Sequence, residues 1–141
     1  MKKVFLDTNV LIDYLARREQ FFEPAAQVVQ LGRLRKYEIL VSALSFATAS
    51  FVLEAHHKLP NEVIVRMFAH FITLCNVTPV DSITIAEAIK SYFSDFEDAM
   101  QYCSAVREGA DVIVTRNCKD FALAQIPVYE PAEFIRMLIE N

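Results

Sequence analysis

Residues 4–9 are VFLDTN, and this stretch decides how the rest of the sequence can fold. Three apolar residues in a row, bounded by polar ones, predict a short strand that is buried on both faces, as strands of parallel sheets are. The strand ends on Asp7. This carboxylate either caps a following helix or forms one part of a site whose other parts lie elsewhere in the chain. Both alternatives remain open on this stretch alone.

The composition limits the class of protein. The chain has 141 residues, of which 54% are hydrophobic, so we expect a single domain over residues 1–141 with a full core. The net charge of −4 argues against a basic nucleic-acid-binding domain. An acidic protein can still act on phosphates when metal ions supply the positive charge.

The cysteines and the apolar runs indicate the compartment. Cys75, Cys103 and Cys118 are odd in number and widely spaced, which argues against a disulfide framework or a zinc ribbon and favours free thiols in a reducing cytosol. Asp7 interrupts the apolar start at once, so the sequence predicts no signal peptide. No apolar run approaches the roughly 18 residues of a membrane span. We therefore expect a cytoplasmic protein that does not interact with a membrane.

Strand and helix patterns alternate along the chain. Strands are predicted at residues 4–6, 38–41, 77–80, 111–114 and 127–129, and helices at residues 10–15, 24–36, 43–58, 63–74, 82–93, 95–109 and from 131 onward. This alternation predicts the α/β class with three layers, in which a short central parallel sheet carries helices on both faces. Sites in such sheets form outside the carboxyl ends of the strands.

Four acidic residues fall where this rule expects a site. Asp7 follows the first strand, and Asp120 follows the strand at residues 111–114. Asp95 and Asp98 open the helix before that strand. Their i,i+3 spacing puts both carboxylates on one face of the helix.

Two of these acids also have local explanations. Asp95 can cap its own helix, and Asp120 can pair with Arg116 or Lys119 in its own loop. Carboxylates that converge repel one another by roughly 4 kcal/mol per pair at ~4 Å and an effective dielectric of about 20. A fold gathers them only when a cation offsets this repulsion. Mg²⁺ and Mn²⁺ match all-oxygen ligands, and such an ion can activate a water molecule for attack on a phosphodiester.

A different chemistry at a strand end is phosphotransfer to an aspartate. Phosphatases of the haloacid dehalogenase type carry a second aspartate two residues after the first, where it acts as acid and base. This sequence has Asn9 at that position, and an amide cannot transfer the proton. The sequence therefore disfavours the phosphatase alternative.

Three motifs in the chain resemble a known family. They are VFLDTNVLIDYL at residues 4–15, DFEDAMQYCSAVREGADVIVTRN at residues 95–117 and KDF at residues 119–121. In this order they resemble the PIN domain, and within it the VapC-type toxin ribonucleases of bacterial toxin–antitoxin pairs. The resemblance implies a PIN-like parallel-sheet fold and Mg²⁺- or Mn²⁺-dependent cleavage of RNA. It also implies an antitoxin partner and a homodimer.

The resemblance assigns roles to residues of this sequence. Asp7, Asp98 and Asp120 match the family's first, third and fourth catalytic and metal-binding acids. Asp95 stands where some members have an additional metal-binding acid. The resemblance implies that Thr115 and Asn117 are polar neighbours of Asp120, and we also expect polar support for the acids from Asn9 and Thr48.

The second acid of the family is missing from this sequence. The family has a glutamate six residues after a serine in the helix that follows the second strand, and counting from Ser42 leads to Thr48. Glu54 lies about 120° away around the helix, so we do not expect it to act as a substitute. Three outcomes stay open. The remaining acids bind one metal ion well, or only Mn²⁺ or high Mg²⁺ supports activity, or the protein is a catalytically impaired module that binds RNA or a protein partner.

Overall fold

A five-stranded parallel sheet lies at the centre of the computed structural model, which describes residues 1–140. The strands are, in chain order, β1 (Lys3–Leu6), β2 (Glu38–Ser42), β3 (Cys75–Thr78), β4 (Val112–Val114) and β5 (Val128–Tyr129). Their order across the sheet is β3-β2-β1-β4-β5, and every neighbouring pair is parallel. The predicted α/β class with a central parallel sheet is confirmed.

Helices cover both faces of the sheet. One turn of 3-10 helix spans Cys118–Phe121, and the α-helices are α1 (Thr8–Leu15), α2 (Phe22–Arg33), α3 (Ala43–Ala55), α4 (Asn61–Phe71), α5 (Ser82–Lys90), α6 (Phe96–Arg107) and α7 (Pro131–Glu140). Val4 and Leu6 of β1 belong to a core cluster with α1, α2, α3, α4 and α7. Phe5 points to the opposite face and packs with Ala105 of α6 and with Phe121. The strand alternation therefore builds the predicted three layers.

The register of the central strands brings their carboxyl ends together. Leu6 of β1 lies opposite Val114 of β4, which sets Asp7 beside Thr115. The backbone N–H of Asp7 donates to the carbonyl of Val114 at 3.0 Å. On its other side β1 pairs with β2, which ends at Ser42 directly before α3. Asp7 therefore lies at the central point of the carboxyl edge of the sheet.

The edge strand β3 differs from the sequence prediction. It spans Cys75–Thr78 instead of residues 77–80. Pro79 has no N–H to donate to a ladder, so the strand ends before it. Side chains of an edge strand are only partly covered, and Val77 is 48% exposed. This exposure explains why the apolar pattern located the strand poorly.

Five helices end before their predicted ends, and in four of them the difference is three residues. α2, α3, α4 and α5 each end three residues before the predicted end. Arg35 and Lys58 adopt the left-handed conformation, with φ of 61° and 57°, and this conformation cannot continue a right-handed helix. The Nζ of Lys58 also donates to the carbonyl of Ala55 at 2.9 Å, near the end of α3. Gly109, with φ of 77°, follows the end of α6 and lies at the last residue of the predicted helix at residues 95–109.

The structure pairs none of the cysteines within residues 1–140 in a disulfide. Cys75, Cys103 and Cys118 all carry free thiols. None of the helices within residues 1–140 is long and apolar enough to cross a membrane.

Candidate functional site

Asp7 is both a helix cap and part of a larger polar cluster. Its Oδ1 accepts the N–H of Thr8 at 2.8 Å and so caps α1. Its Oδ2 accepts the hydroxyl of Thr115 at 2.8 Å and the side-chain amide of Asn9 at 3.2 Å. The residue is only 6% exposed. The sequence left open whether Asp7 caps a helix or forms part of a site. The two roles are compatible, because Oδ1 caps α1 while Oδ2 accepts from the other residues of the cluster.

The loop after β4 is fixed around the same cluster. The amide of Asn9 donates to Thr115 Oγ1 at 3.3 Å and its oxygen accepts the backbone N–H of Arg116 at 3.2 Å. The backbone N–H of Asn117 donates to Thr115 Oγ1 at 3.1 Å. Asn9 and Thr115 thus lie directly at Asp7, whereas Asn117 contributes a backbone group to Thr115.

Burial and neighbouring charges act together on Asp7. Burial is the largest influence and raises the pKa of its carboxyl, which the hydrogen bonds from Thr115 and Thr8 lower in part. The charges of Glu97 and Asp120 raise the pKa of Asp7 further. A buried carboxylate in the field of other carboxylates is stabilised by a cation.

Asp95 and Asp98 have different roles at the start of α6. Asp95 is the N-cap, and its Oδ1 accepts the N–H of Asp98 at 3.0 Å. The cap interpretation of Asp95 is confirmed. Asp98 is half-buried, and burial raises the pKa of its carboxyl to about 7, with further increases from the charges of Asp7, Asp95, Asp120 and Glu97, in that order. The other four acids of the cluster therefore all raise the pKa of Asp98.

Asp120 lies on the 3-10 helix that follows β4 and is exposed. Its charge raises the pKa of both Asp7 and Asp98. The local alternative of a pair between Asp120 and Arg116 is not realised, because Arg116 pairs with Asp13 of α1 at 2.6 Å between Nε and Oδ2. Asp120 thus faces the other carboxylates of the cluster without Arg116 as its counterion.

Asp13 and Arg116 hold the loop after β4 against α1. Asp13 is 1% exposed and accepts from Arg116 Nε at 2.6 Å, from Arg116 Nη2 at 3.3 Å and from Arg18 Nη1 at 3.3 Å. The guanidinium of Arg116 lies 3.9 Å from the centre of the Phe21 ring. A bidentate pair of this kind fixes the geometry of a backbone segment, here the segment that carries Thr115.

Thr48 contacts an acid that the sequence analysis did not single out. Its hydroxyl donates to Oε1 of Glu97 at 3.3 Å. Glu97 lies in the first turn of α6, and its charge acts on both Asp7 and Asp98. The i,i+3 criterion selected Asp95 and Asp98 and passed over Glu97, which lies about 200° around the helix from Asp95. The acidic stretch at residues 95–98 was the available signal.

A buried hydrogen-bonded network lies below the acids and joins four elements. The amide of Gln101 on α6 donates to Thr8 Oγ1 at 2.6 Å and to Ser45 Oγ at 2.8 Å, and its oxygen accepts the hydroxyl of Ser42. Thr8 and Ser45 are themselves 2.7 Å apart between their hydroxyl oxygens. All four residues are buried. The network sets the distance between α1, α3 and α6, which carry the polar residues of the site.

The donor set fits a hard divalent cation. Within residues 1–140, no three side chains of Asp, Glu, His or Cys are arranged so that they could hold an ion by themselves. Mg²⁺ binds through one or two carboxylates and keeps several of its waters, so it needs no closed protein cage. Asp7, Asp98 and Asp120 supply only oxygen ligands at one edge of the sheet, which suits Mg²⁺ or Mn²⁺.

We expect Gln101→Met to destabilise the protein strongly. The substitution keeps the length of the side chain but leaves buried hydroxyls of the network without the amide, at a cost of about 1–3 kcal/mol for each group left unpaired. Urea unfolding gives the free energy of unfolding. Gln27→Met, at an exposed position of α2, is the matched control and should change it by less than about 0.5 kcal/mol. Equal values for the two variants would contradict the role of the network.

We expect the free energy of unfolding to fall as the pH rises from about 5 to about 8 in EDTA. The folded pKa of Asp98, about 7, lies above its ordinary value of 3.8. Between these values the folded protein holds a proton that the unfolded chain has released, so acid favours the folded state. Asp98→Asn should flatten this pH dependence, while Asp111→Asn should not. Parallel profiles for wild type and Asp98→Asn would exclude Asp98 as the titrating group.

Solved structures share this fold at low sequence identity. A toxin–antitoxin complex from Klebsiella pneumoniae has a TM-score of 0.65 at 21% identity, over 91% of this chain and 97% of that chain. A DNA-bound VapBC from Salmonella typhimurium has a TM-score of 0.67 at 19% identity, over 93% and 99%. VapC20 from Mycobacterium tuberculosis, a sarcin–ricin loop cleaving toxin, has a TM-score of 0.60 at 15% identity, over 78% and 86%.

Sequence comparison identifies the family. The chain is similar to "Ribonuclease VapC1" from Aquifex aeolicus, with 26% identity over 138 residues that cover 94% of this chain and 93% of that protein. A family model described as the PIN domain matches residues 3–119. Because this match covers most of the chain, the protein belongs to the PIN domain family.

Proposed function

We propose that this protein is an endoribonuclease that depends on Mg²⁺ or Mn²⁺ and acts as the toxin of a toxin–antitoxin pair. The observation that carries the proposal is the arrangement of Asp7, Asp98 and Asp120. The charge of Asp120 raises the pKa of both Asp7 and Asp98, and burial together with the charges of Asp7 and Asp120 raises the pKa of Asp98 to about 7. The similarity to a curated ribonuclease over nearly the whole chain supports RNA as the substrate.

Asp7, Asp98 and Asp120 would hold the ion. When bound, the ion would supply positive charge to the phosphodiester and lower the pKa of a water that attacks phosphorus. Thr115 and Asn9 donate to Oδ2 of Asp7 and fix the direction of its lone pairs. Asp98 holds a proton for part of the time near neutral pH and would give it up on binding the ion.

An antitoxin is the partner that the comparisons support. Similar solved structures are complexes of a toxin with its antitoxin. In this chain a cavity of about 410 Å³ lies between α1 and α4, lined by Tyr14, Leu15, Val63, Arg66, Met67, His70 and Phe71. An apolar cavity between two helices suits an apolar helix or strand of a partner.

We further propose a homodimer that acts in the cytoplasm. Ile85 and Ile89 on α5 and Tyr92 after it are exposed, with Tyr92 at 92%. Exposed apolar side chains that lie together favour a contact between copies of the chain. Free thiols at all three cysteines suit a reducing cytoplasm.

The second candidate function is a catalytically impaired PIN module that binds RNA or a protein partner. Thr48 favours it, because a hydroxyl stands where the resemblance implies a glutamate. This candidate predicts RNA binding without metal-dependent cleavage.

The test compares cleavage of structured RNA by wild type, Asp7→Asn and Asp111→Asn with Mn²⁺. Asp7→Asn removes the charge that would hold the ion, so we expect the rate to fall by about 100-fold or more. Asp111→Asn is the matched control. Asp111 lies at the amino end of β4 and accepts the backbone N–H of Lys3 at 2.8 Å, which an asparagine oxygen also does. Its rate should match that of wild type.

Two results would contradict the proposed function. Equal cleavage by wild type and Asp7→Asn would indicate a contaminating nuclease. Binding of RNA by wild type without cleavage, at any Mn²⁺ concentration, would support the impaired module instead.

A further inference from the structure

A carboxylate of α6 lies next to the position on α3 where the resemblance implies a glutamate. Thr48 is half-buried on α3 and its hydroxyl donates to Oε1 of Glu97 on α6 at 3.3 Å. A carboxylate thus lies within hydrogen-bonding distance of the position where the resemblance implies a glutamate. The chain carries this acid on a different helix.

Side-chain hydrogen bonds join α3 to α6 at two places, and the bond from Thr48 to Glu97 is one of them. Ser45 lies three residues before Thr48, and Gln101 lies four residues after Glu97, so each pair of neighbours shares a helix face. The amide of Gln101 donates to Ser45 Oγ at 2.8 Å, and both residues are buried. The buried contact fixes the spacing and rotation of the two helices. It therefore also fixes the position of Glu97, one turn closer to the surface.

The same buried contact relates Glu97 to the other acids. Gln101 donates to Thr8 Oγ1 at 2.6 Å, and Thr8 directly follows Asp7 in the chain. On α6, Glu97 immediately precedes Asp98. The position of Glu97 is thus tied to Asp7 through one network and to Asp98 through the backbone.

We propose that Glu97 supplies the second carboxylate of the metal centre, in place of the acid that Thr48 lacks, and that the Thr48 hydroxyl orients it. This inference rests on the proposed metal-dependent function. The hydrogen bond from Thr48 uses Oε1 of Glu97, so Oε2 would stay available for the ion. Glu97 would then act together with Asp7, Asp98 and Asp120, in part through the waters that such an ion keeps, and the lack of a carboxylate at Thr48 would not weaken the centre. The alternative role for Glu97 is a first-turn acid that only complements the dipole of α6.

Three variants test this assignment through Mn²⁺ affinity, measured by electron paramagnetic resonance without RNA, and through RNA cleavage. Glu97→Gln should weaken Mn²⁺ binding by about tenfold or more, and cleavage at low Mn²⁺ should fall in parallel. Thr48→Glu in the Glu97→Gln background should restore the affinity, because it returns a carboxylate to the same place from α3. Thr48→Glu alone should not strengthen binding, because the new charge repels Glu97.

Glu87→Gln is the matched control, at an exposed position of α5. It should leave Mn²⁺ affinity and cleavage unchanged. A purely helix-stabilising Glu97 would give a Glu97→Gln variant with a lower unfolding temperature in EDTA and normal Mn²⁺ affinity.

Normal Mn²⁺ affinity of Glu97→Gln would overturn the inference. Failure of Thr48→Glu to restore binding in the Glu97→Gln background would also overturn it, as would tighter binding by Thr48→Glu alone. Asp7→Asn separates this failure from failure of the proposed function. If Asp7→Asn loses Mn²⁺ binding while Glu97→Gln keeps it, only the assignment of Glu97 is wrong. If Asp7→Asn also binds normally, the metal centre itself is wrong.

Discussion

Mutual repulsion among carboxylates is the constraint on which the site depends. Asp7 is almost fully buried, and Asp98 has its pKa raised to about 7 by burial and by four neighbouring acids. Such an arrangement opposes folding near neutral pH, since the folded state must either keep a proton or bear the repulsion. Acidic residues that serve stability alone would be spread over the surface. Their concentration at one edge of the sheet supports the proposed binding of a divalent cation.

The fold resists this repulsion with neutral hydrogen bonds and one buried ion pair. The Gln101 network ties α6 to α1 and α3 without adding charge beneath the acids. The pair of Asp13 with Arg116 fixes the loop after β4 from the other side. This pair also removes Arg116 as a counterion for Asp120. Arg116 therefore does not neutralise the acids of the site, and the proposed divalent cation would offset their charge.

Local features of the sequence were predictable, and contacts between distant elements were not. VFLDTN correctly predicted the first strand and the position of Asp7 at its end, because a short apolar run and a terminal acid are local signals. The position of Asp95 at the start of its helix correctly indicated a cap. The position of β3 was wrong by two residues, because an edge strand is weakly patterned.

Contacts at the interface of α3 and α6 carried no signal in the sequence. In the sequence, Gln101 has no feature that distinguishes it from other helix residues. Only the packing of α6 on α3 places it in a buried position among hydroxyls. Glu97 lay off the helix face that Asp95 and Asp98 defined, and only the same docking brings it to Thr48. The sequence therefore revealed a missing acid at Thr48, and the structure revealed a carboxylate within reach of it.

The central claim is that these carboxylates bind a divalent cation, and proton release on binding tests it most directly. Titration calorimetry of Mn²⁺ into the protein, repeated at pH 7 in buffers with different ionisation enthalpies, counts the protons released. Because the pKa of Asp98 is about 7, the account predicts release of about half a proton per ion from wild type and almost none from Asp98→Asn. Absence of Mn²⁺ binding, or binding by wild type without proton release, would contradict it.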